Sequence, residues 1–252
     1  MSRRARVIPC LLLQSGGLVK TKKFRDPVYV GDPVNAVRIF NEKEADEIVI
    51  LDIDATRLGR PPDFDLVAEI AGEAFMPVTY GGGVRSLADI RRLIRSGVEK
   101  VAINHAATVD TALVTEASRV FGRQAIVGVI DVKKNFFGGY KATTRSASHD
   151  VACDLMEHIR NLQCAGVGEL FVNHVDRDGM MQGYDIDLLK KIVSVADVPV
   201  VACGGAGTLQ HFIQAVEEAG VAAVAAGSMF VFHGKHRAVL ITYPTGFTLD
   251  VI

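Results

Sequence analysis

No run of apolar residues in this chain reaches the roughly 20 needed to cross a membrane. Neither sign of charge is in surplus: 28 Lys and Arg stand against 29 Asp and Glu, evenly spread. The first absence argues against a spanning segment, and the second removes the basic face that nucleic-acid binding needs. The four cysteines, Cys10, Cys153, Cys164 and Cys203, form no CxxC pair and no metal-ligand spacing. A metal centre is therefore not expected, and reduced, mostly buried thiols in a cytoplasmic protein are. Arg3-Arg4-Ala5-Arg6 makes a basic start, but Val7 to Leu13 is a short strand-like run containing Pro9, so no secretory signal is expected. No low-complexity linker breaks the chain, and no GxGxxG follows the first apolar run, which speaks against a dinucleotide-binding open sheet. Nothing in the sequence calls for a cofactor.

Glycine, by contrast, is placed with a pattern. Tyr80-Gly81-Gly82-Gly83 follows Met76-Pro77-Val78, and Cys203-Gly204-Gly205-Ala206-Gly207 follows Val198-Pro199-Val200-Val201, in a register of 123 residues within a chain of 252. Each cluster precedes a helical stretch closed by a glycine, Gly97 or Gly220. Glycine turns at strand-to-helix junctions expose backbone N–H groups that suit a phosphate. Two in register imply a repeated barrel holding a ligand with two phosphate-like ends.

Short β-branched runs alternate with helical patterns along the whole chain. Strands are predicted at 6–13, 47–53, 77–80, 100–104, 125–132, 169–173, 199–203 and 222–226, several without the polar alternation of a half-exposed strand. Helices are predicted at 33–43, 64–73, 87–95, 111–121, 151–164, 186–193 and 209–219, with Asp32-Pro33 and Ser86-Leu87 as N-cap and first turn. Eight such units in 252 residues, 49% hydrophobic, predict an α/β fold of (β/α)₈ type. It is read as a single domain, 1–252, of two half-barrels, about 1–122 and 123–252. The irregular stretches expected at 14–31 and 133–149 follow strands one and five. Mobile loops over a site and plain surface insertions both fit them.

Active sites of such barrels lie at the C-terminal strand ends. Strand five ends in Ile130-Asp131-Val132-Lys133, which makes Asp131 a candidate general acid or base. The equivalent place on strand one holds Leu12, which cannot titrate. Other rim candidates are Lys20, Asp52, Asp54, Asp176 and Asp178. One phosphate end would use Gly82, Gly83 and Asn104, and the other Asp178, Gly179, Gly204, Gly205, Gly227 and Ser228. At the opposite strand ends stand Arg6, Glu47, Lys100 and Glu169, which by spacing alone read as ion pairs serving stability.

Taken together these residues resemble the cyclase subunit of imidazole glycerol phosphate synthase, through Arg6-Val7-Ile8-Pro9-Cys10, Asp46-Glu47-Ile48, Leu51-Asp52-Ile53, Gly81-Gly82-Gly83, Asp176-Arg177-Asp178-Gly179, Gly183-Tyr184-Asp185 and Gly204-Gly205-Ala206-Gly207. The resemblance implies a glutaminase subunit docked on the N-terminal face of the barrel and ammonia passing through it. It makes Arg6, Glu47, Lys100 and Glu169 the entry gate. The family cyclase uses two aspartates; here Asp131 stands and Leu12 replaces the other. His105 and Met180 stand where the family has threonines. Cys10-Leu11-Leu12-Leu13, Gly17-Leu18-Val19-Lys20-Thr21, Tyr29-Val30-Gly31-Asp32-Pro33 and Phe230-Val231-Phe232-His233-Gly234-Lys235-His236-Arg237 are similar to a paralogous group encoded with surface-polysaccharide genes. That likeness implies ammonia delivery to a separate sugar amidotransferase, which converts an acetamido into an acetamidino group. Genuine cyclase activity on Asp131 alone is the alternative, and a binding scaffold a third reading.

Overall fold

The computed structural model describes residues 3–136 and 138–251. Eight parallel strands close on themselves: β1 (Arg6–Gln14), β2 (Ile48–Asp52), β3 (Val78–Gly81), β4 (Lys100–Ile103), β5 (Ile126–Lys134), β6 (Glu169–His174), β7 (Val200–Cys203) and β8 (Ala223–Ala226). The seam pairs Ala223 with Arg6, and β4 meets β5 with Val101 opposite Ile126. All eight predicted strands are present, so the architecture is a (β/α)₈ barrel.

The helices are α1 (Pro33–Glu42), α2 (Phe64–Glu73), α3 (Leu87–Arg95), α4 (His105–Val109), α5 (Thr111–Phe121), α6 (Leu155–Ala165), α7 (Ile186–Val193), α8 (Leu209–Ala219) and α9 (Ser228–Val231). Their starts are set by side chains that satisfy orphan N–H groups: Asp32, Asp63, Ser86, Asp110, Asp154 and Asp185 each accept from a backbone N–H of the first turn. Asp154 is why α6 begins at Leu155 rather than at the predicted 151, since His149 and Asp150 still pair with Thr144 and Thr143.

Alternation along the strands separates two cores. Ile8, Cys10 and Leu12 point inward to meet Val49, Ala102, Val127, Val129, Phe171, Val201, Cys203, Ala223 and Ala225. Val7, Leu11 and Leu13 point outward against the helices. Behind them an aromatic cluster joins Phe40, Phe212 and Phe230 to Tyr243 and Phe247 of the C-terminal segment. The Tyr243 hydroxyl donates to Val7 O at 3.0 Å and accepts from Asp46 N at 3.2 Å, tying that segment to the barrel's base.

The stretches expected to be irregular are antiparallel ribbons. Strand β1 runs on to Gln14, turns at Ser15-Gly16 (φ 51° and 80°), returns as Gly17–Lys22, and turns again at Lys23-Phe24 (φ 52° and 60°) into Arg25–Gly31. Paired left-handed residues give the tight two-residue hairpin that matches strand twist. Strand β5 likewise turns back as Tyr140–Thr144. Leu12 lies opposite Val19 in the first ribbon, and Asp131 opposite Thr143 in the second.

The cysteines correct one expectation. Cys10 and Cys203 are buried inside the barrel, but Cys153 is only half-buried and Cys164 is exposed on α6.

Candidate functional site

The inward face of the barrel reads as layers, because every second residue of each strand contributes. At the N-terminal mouth Arg6, Glu47, Lys100 and Glu169 form one ring. The Arg6 guanidinium donates to both Glu47 and Glu169. Lys100 Nζ donates to the two Glu47 oxygens at 3.0 and 2.9 Å and to Glu169 Oε2 at 3.0 Å. Thr79 Oγ1 adds a bond to Glu47 Oε1 at 2.9 Å. Each carboxylate thus lies between two cations, the arrangement that lets buried charges persist. Glu99, on the same face, instead accepts from Val78 N at 2.6 Å and anchors the start of β3.

Above the ring the interior is apolar, and Cys10 and Cys203 are both buried there. The layer at the C-terminal ends is polar on one side. Asp131 is 8% exposed and accepts from Asn104 Nδ2 at 2.8 Å. Burial, reinforced by the charge of Asp178, pushes its carboxyl up to about 7, which poises it to gain or lose a proton near neutrality. Asn173, paired in register with Asp131, is 5% exposed and its Oδ1 finds no partner among the described residues.

These groups floor a cavity of about 420 Å³. Leu12, Gly82, Gly83, Asn104 and Asp131 line it, together with His105, Thr21, Arg145 and Ser146. The predicted first phosphate end and the Leu12/Asp131 pair therefore come together. Gly83 N already donates to Thr56 Oγ1 at 3.1 Å. Burial, with Arg145 and His149 adding to it, holds His105 below the ordinary imidazole range, so it is neutral at pH 7.

The second predicted end lies elsewhere. Among the described residues, Asp178, Gly179, Gly204, Gly205, Gly227 and Ser228 are not part of the wall of that cavity. They lie under the first ribbon and neighbouring loops. Thr21 Oγ1 donates to Asp178 Oδ2 at 2.7 Å and Lys23 N to Asp178 O at 2.9 Å. A methyl on Gly179 would meet Thr21 O, one on Gly205 would meet Gly183 O, and one on Gly227 would meet the Lys20 ammonium, which donates to Cys10 O. Gly204 is pressed against Asn173 and the backbone of His174, and Ser228 is buried at the start of α9.

Three other rim candidates hold loops. Asp52 Oδ1 accepts from Asp54 N and Ala55 N, both at 2.9 Å, although its side chain also borders the cavity. Asp54 binds Arg57 at 2.7 Å and Asp176 accepts from Lys134 N at 2.9 Å. Sequence reasoning missed Asn173, Thr21, Arg60, Arg85, Arg145 and Ser146. Asn173 was legible, standing two residues beyond inward-facing Phe171. The arginines sit on loops whose path no periodicity reveals.

A closed eight-stranded barrel with its polar cavity at the C-terminal strand ends defines an α/β barrel protein of small-molecule-site type. The chain belongs to the histidine biosynthesis protein family, whose model matches residues 6–237. It is 53% identical over 248 residues to a Pseudomonas aeruginosa protein provisionally named imidazole glycerol phosphate synthase subunit hisF2, covering 98% of this chain and 99% of that one. It is 44% identical over 243 residues to the similarly provisional subunit hisF3 of Vibrio vulnificus, covering 96% and 94%. Imidazole glycerol phosphate synthase subunit HisF of Alkaliphilus metalliredigens is 38% identical over 228 residues, 90% of each chain. The chain is thus a HisF-like subunit. No helix among the described residues is long and apolar enough to cross a membrane.

Proposed function

We propose that this chain conducts ammonia from a glutaminase partner through its barrel for amidation of a surface-polysaccharide sugar, rather than cyclising a histidine intermediate. The observation that carries the reading is Leu12: a buried leucine faces the cavity where the family's chemistry calls for a second carboxylate, while the charged ring at the other mouth is complete. Leucine neither accepts nor donates a proton, and acid–base catalysis by one placed group is typically worth about 10²–10⁴-fold. A HisH-like glutaminase would dock at the N-terminal face, and a separate sugar amidotransferase would use the ammonia released above.

The interior supports conduction. Between the ring and Asp131 the lining is apolar and carries small residues, Ala102, Ala223 and Ala225, which favours neutral ammonia over charged ammonium. Passage requires one member of the ring to swing aside, and Lys100, on a flexible four-carbon stem, is the one best suited. The top cavity is read as binding a phosphate-bearing ligand through the backbone around Gly82, Gly83 and Asn104. The paired ribbons after β1 and β5 support one domain, 1–252, built from half-barrels 1–122 and 123–252. A cytoplasmic location follows from this role.

The competing reading, a true cyclase of histidine biosynthesis working with Asp131 alone, draws on the same family membership. Expression in a strain lacking its cyclase separates the two. Failure to restore growth without histidine is expected, and robust growth overturns the amidation reading.

A further inference from the structure

The C-terminal face of the barrel presents apolar side chains to solvent. On the first ribbon Val28 is 53% exposed and Tyr29 67%, and on the rim of the cavity Leu58 and Val109 are exposed too. The outer strand of that ribbon, Arg25–Gly31, pairs on one side only among the described residues, with Gly17–Lys22. Its free edge is poorly suited to receive another strand, since Asp26 is left-handed (φ 50°) and Pro27 has no N–H to give. What the ribbon offers outward is therefore side chains. A small hairpin, Phe232–His233 with Ala238–Val239, continues the face: Phe232 and Arg237 share a cleft of about 330 Å³ with Lys22, Asp26 and Val28.

The same face is basic. Lys22, Lys23, Arg25 and Lys235 are exposed, and Arg237 is half-buried over the Phe232 ring. The acids within residues 17–32 and 232–240 are Asp26 and Asp32, in a chain whose net charge is −1. Among the described residues none of these five cations forms an ion pair. Lys22 and Arg25 moreover stand directly opposite each other across the turn at Lys23-Phe24. Like charges in that place destabilise a hairpin, so the pair works against the fold unless an acidic surface is laid on it. The face also borders the barrel's exit: Thr21 and Phe24 of the same ribbon line the 420 Å³ cavity, as do Val109 and Gly59, the neighbour of Leu58.

We propose that the first ribbon and the hairpin beside it are the docking surface of the ammonia-consuming sugar amidotransferase, which meets them with an acidic rim around an apolar centre and so closes the exit. The inference rests on the conduit reading and names where on the barrel the consumer binds. Ammonia released into water at pH 7 takes up a proton, and ammonium has no lone pair with which to attack. Its consumer must therefore sit over the opening. The glutaminase is placed at the opposite mouth and does not compete for this face. An exposed tyrosine among cations is the kind of anchor around which interfaces form, and opposite charge on the partner steers and orients its approach. A second copy of this chain would bring the same cations against these, which repulsion opposes.

The test compares glutamine-driven with ammonium-driven amidation in the complex of this chain, its glutaminase and the amidotransferase. Lys22→Glu/Arg25→Glu reverses the charge but leaves a like-charged pair across the turn, so the ribbon's own stability is little changed. Tyr29→Ser removes the aromatic anchor. In both variants amidation from glutamine should fall about tenfold or more. Amidation from ammonium chloride should stay near that of the parent, and the glutaminase should remain bound. The amidotransferase should bind the parent less tightly as salt rises and the charge-reversed ribbon about tenfold more weakly at low salt; Lys22→Arg and Tyr29→Phe should bind like the parent. Unchanged amidotransferase binding and glutamine-driven amidation in both variants overturns the docking surface while the conduit stands. A parent that amidates from ammonium but not from glutamine overturns the conduit and the docking surface together. Dimerisation of the chain alone, abolished by Tyr29→Ser, overturns the proposal by assigning the face to a second copy.

Discussion

Asp131→Asn should stabilise this protein at alkaline pH at the cost of whatever proton transfer Asp131 performs. The carboxyl is pushed from an ordinary value near 3.8 up to about 7 by burial and by Asp178. Between those values the folded state holds a proton that the unfolded chain has released, so stability falls as pH rises and the loss is complete above about 7. A shift of about three units corresponds to about 4 kcal/mol in full. At pH 5 the unfolded carboxyl is already mostly ionised, so roughly 1.5–2 kcal/mol has been lost there, leaving about 2–3 kcal/mol between pH 5 and pH 8. The substituted amide would keep an acceptor for Asn104 Nδ2, now at 2.8 Å from Asp131 Oδ2, without a charge to desolvate. Urea unfolding of parent and variant at both pH values isolates the effect, because every other titrating group is common to the two. The variant should gain about 2–3 kcal/mol over the parent on going from pH 5 to pH 8. A difference between the two proteins that does not change with pH refutes the account of Asp131 as a desolvated carboxyl.

Lys100→Met removes the cation that bridges Glu47 and Glu169; glutamine hydrolysis and amidation should uncouple in the partnered complex while the fold is kept, and unchanged coupling would count against the gate. Leu12→Asp restores the two-aspartate arrangement, but Thr21 is bonded to Asp178 and packs on Gly179 while Lys20 packs on Gly227, so cyclase turnover should remain far below that of a HisF enzyme; activity equal to one would show that the site was never altered. Phe40→Ala empties a fully buried position that touches Phe230 and Tyr243 and should cost about 3–5 kcal/mol in chemical denaturation, a smaller loss indicating that the aromatic cluster collapses around it. Thr21→Val deletes the bond to Asp178 at 2.7 Å and should cost about 1 kcal/mol while raising proteolytic cutting within residues 17–31; unchanged cutting would show that the ribbon is held by its strand pairing alone.

Strand and helix placement was legible because it rests on local rules. Two-sided burial demands near-continuous apolar runs, and Asp32, Ser86 and Asp110 mark helix starts by chemistry that acts over three residues. The inward residues followed from period two once the strands were known, so the ring of Arg6, Glu47, Lys100 and Glu169 and the place of Asp131 could be read ahead of the structure. The second turns of the ribbons after β1 and β5 could not, because Lys23-Phe24 and Arg145-Ser146-Ala147 adopt left-handed backbone without glycine or asparagine to announce it, unlike the first turns with Gly16 and Gly138. Arg145 and Ser146 were missed for the same reason. Which glycine cluster opens onto the cavity was beyond the sequence altogether. Both clusters make the same tight turns, each packed by the loop that precedes it, around Asp52 and Arg60 in one half and around His174 and Gly183 in the other, and only Gly81, Gly82 and Gly83 line the cavity. The sequence by itself determined the barrel, its layers and the residue types at its two mouths, since these depend on spacing along single strands. Only the tertiary structure decided the asymmetry of the upper mouth, because that depends on which distant ribbon packs over which turn.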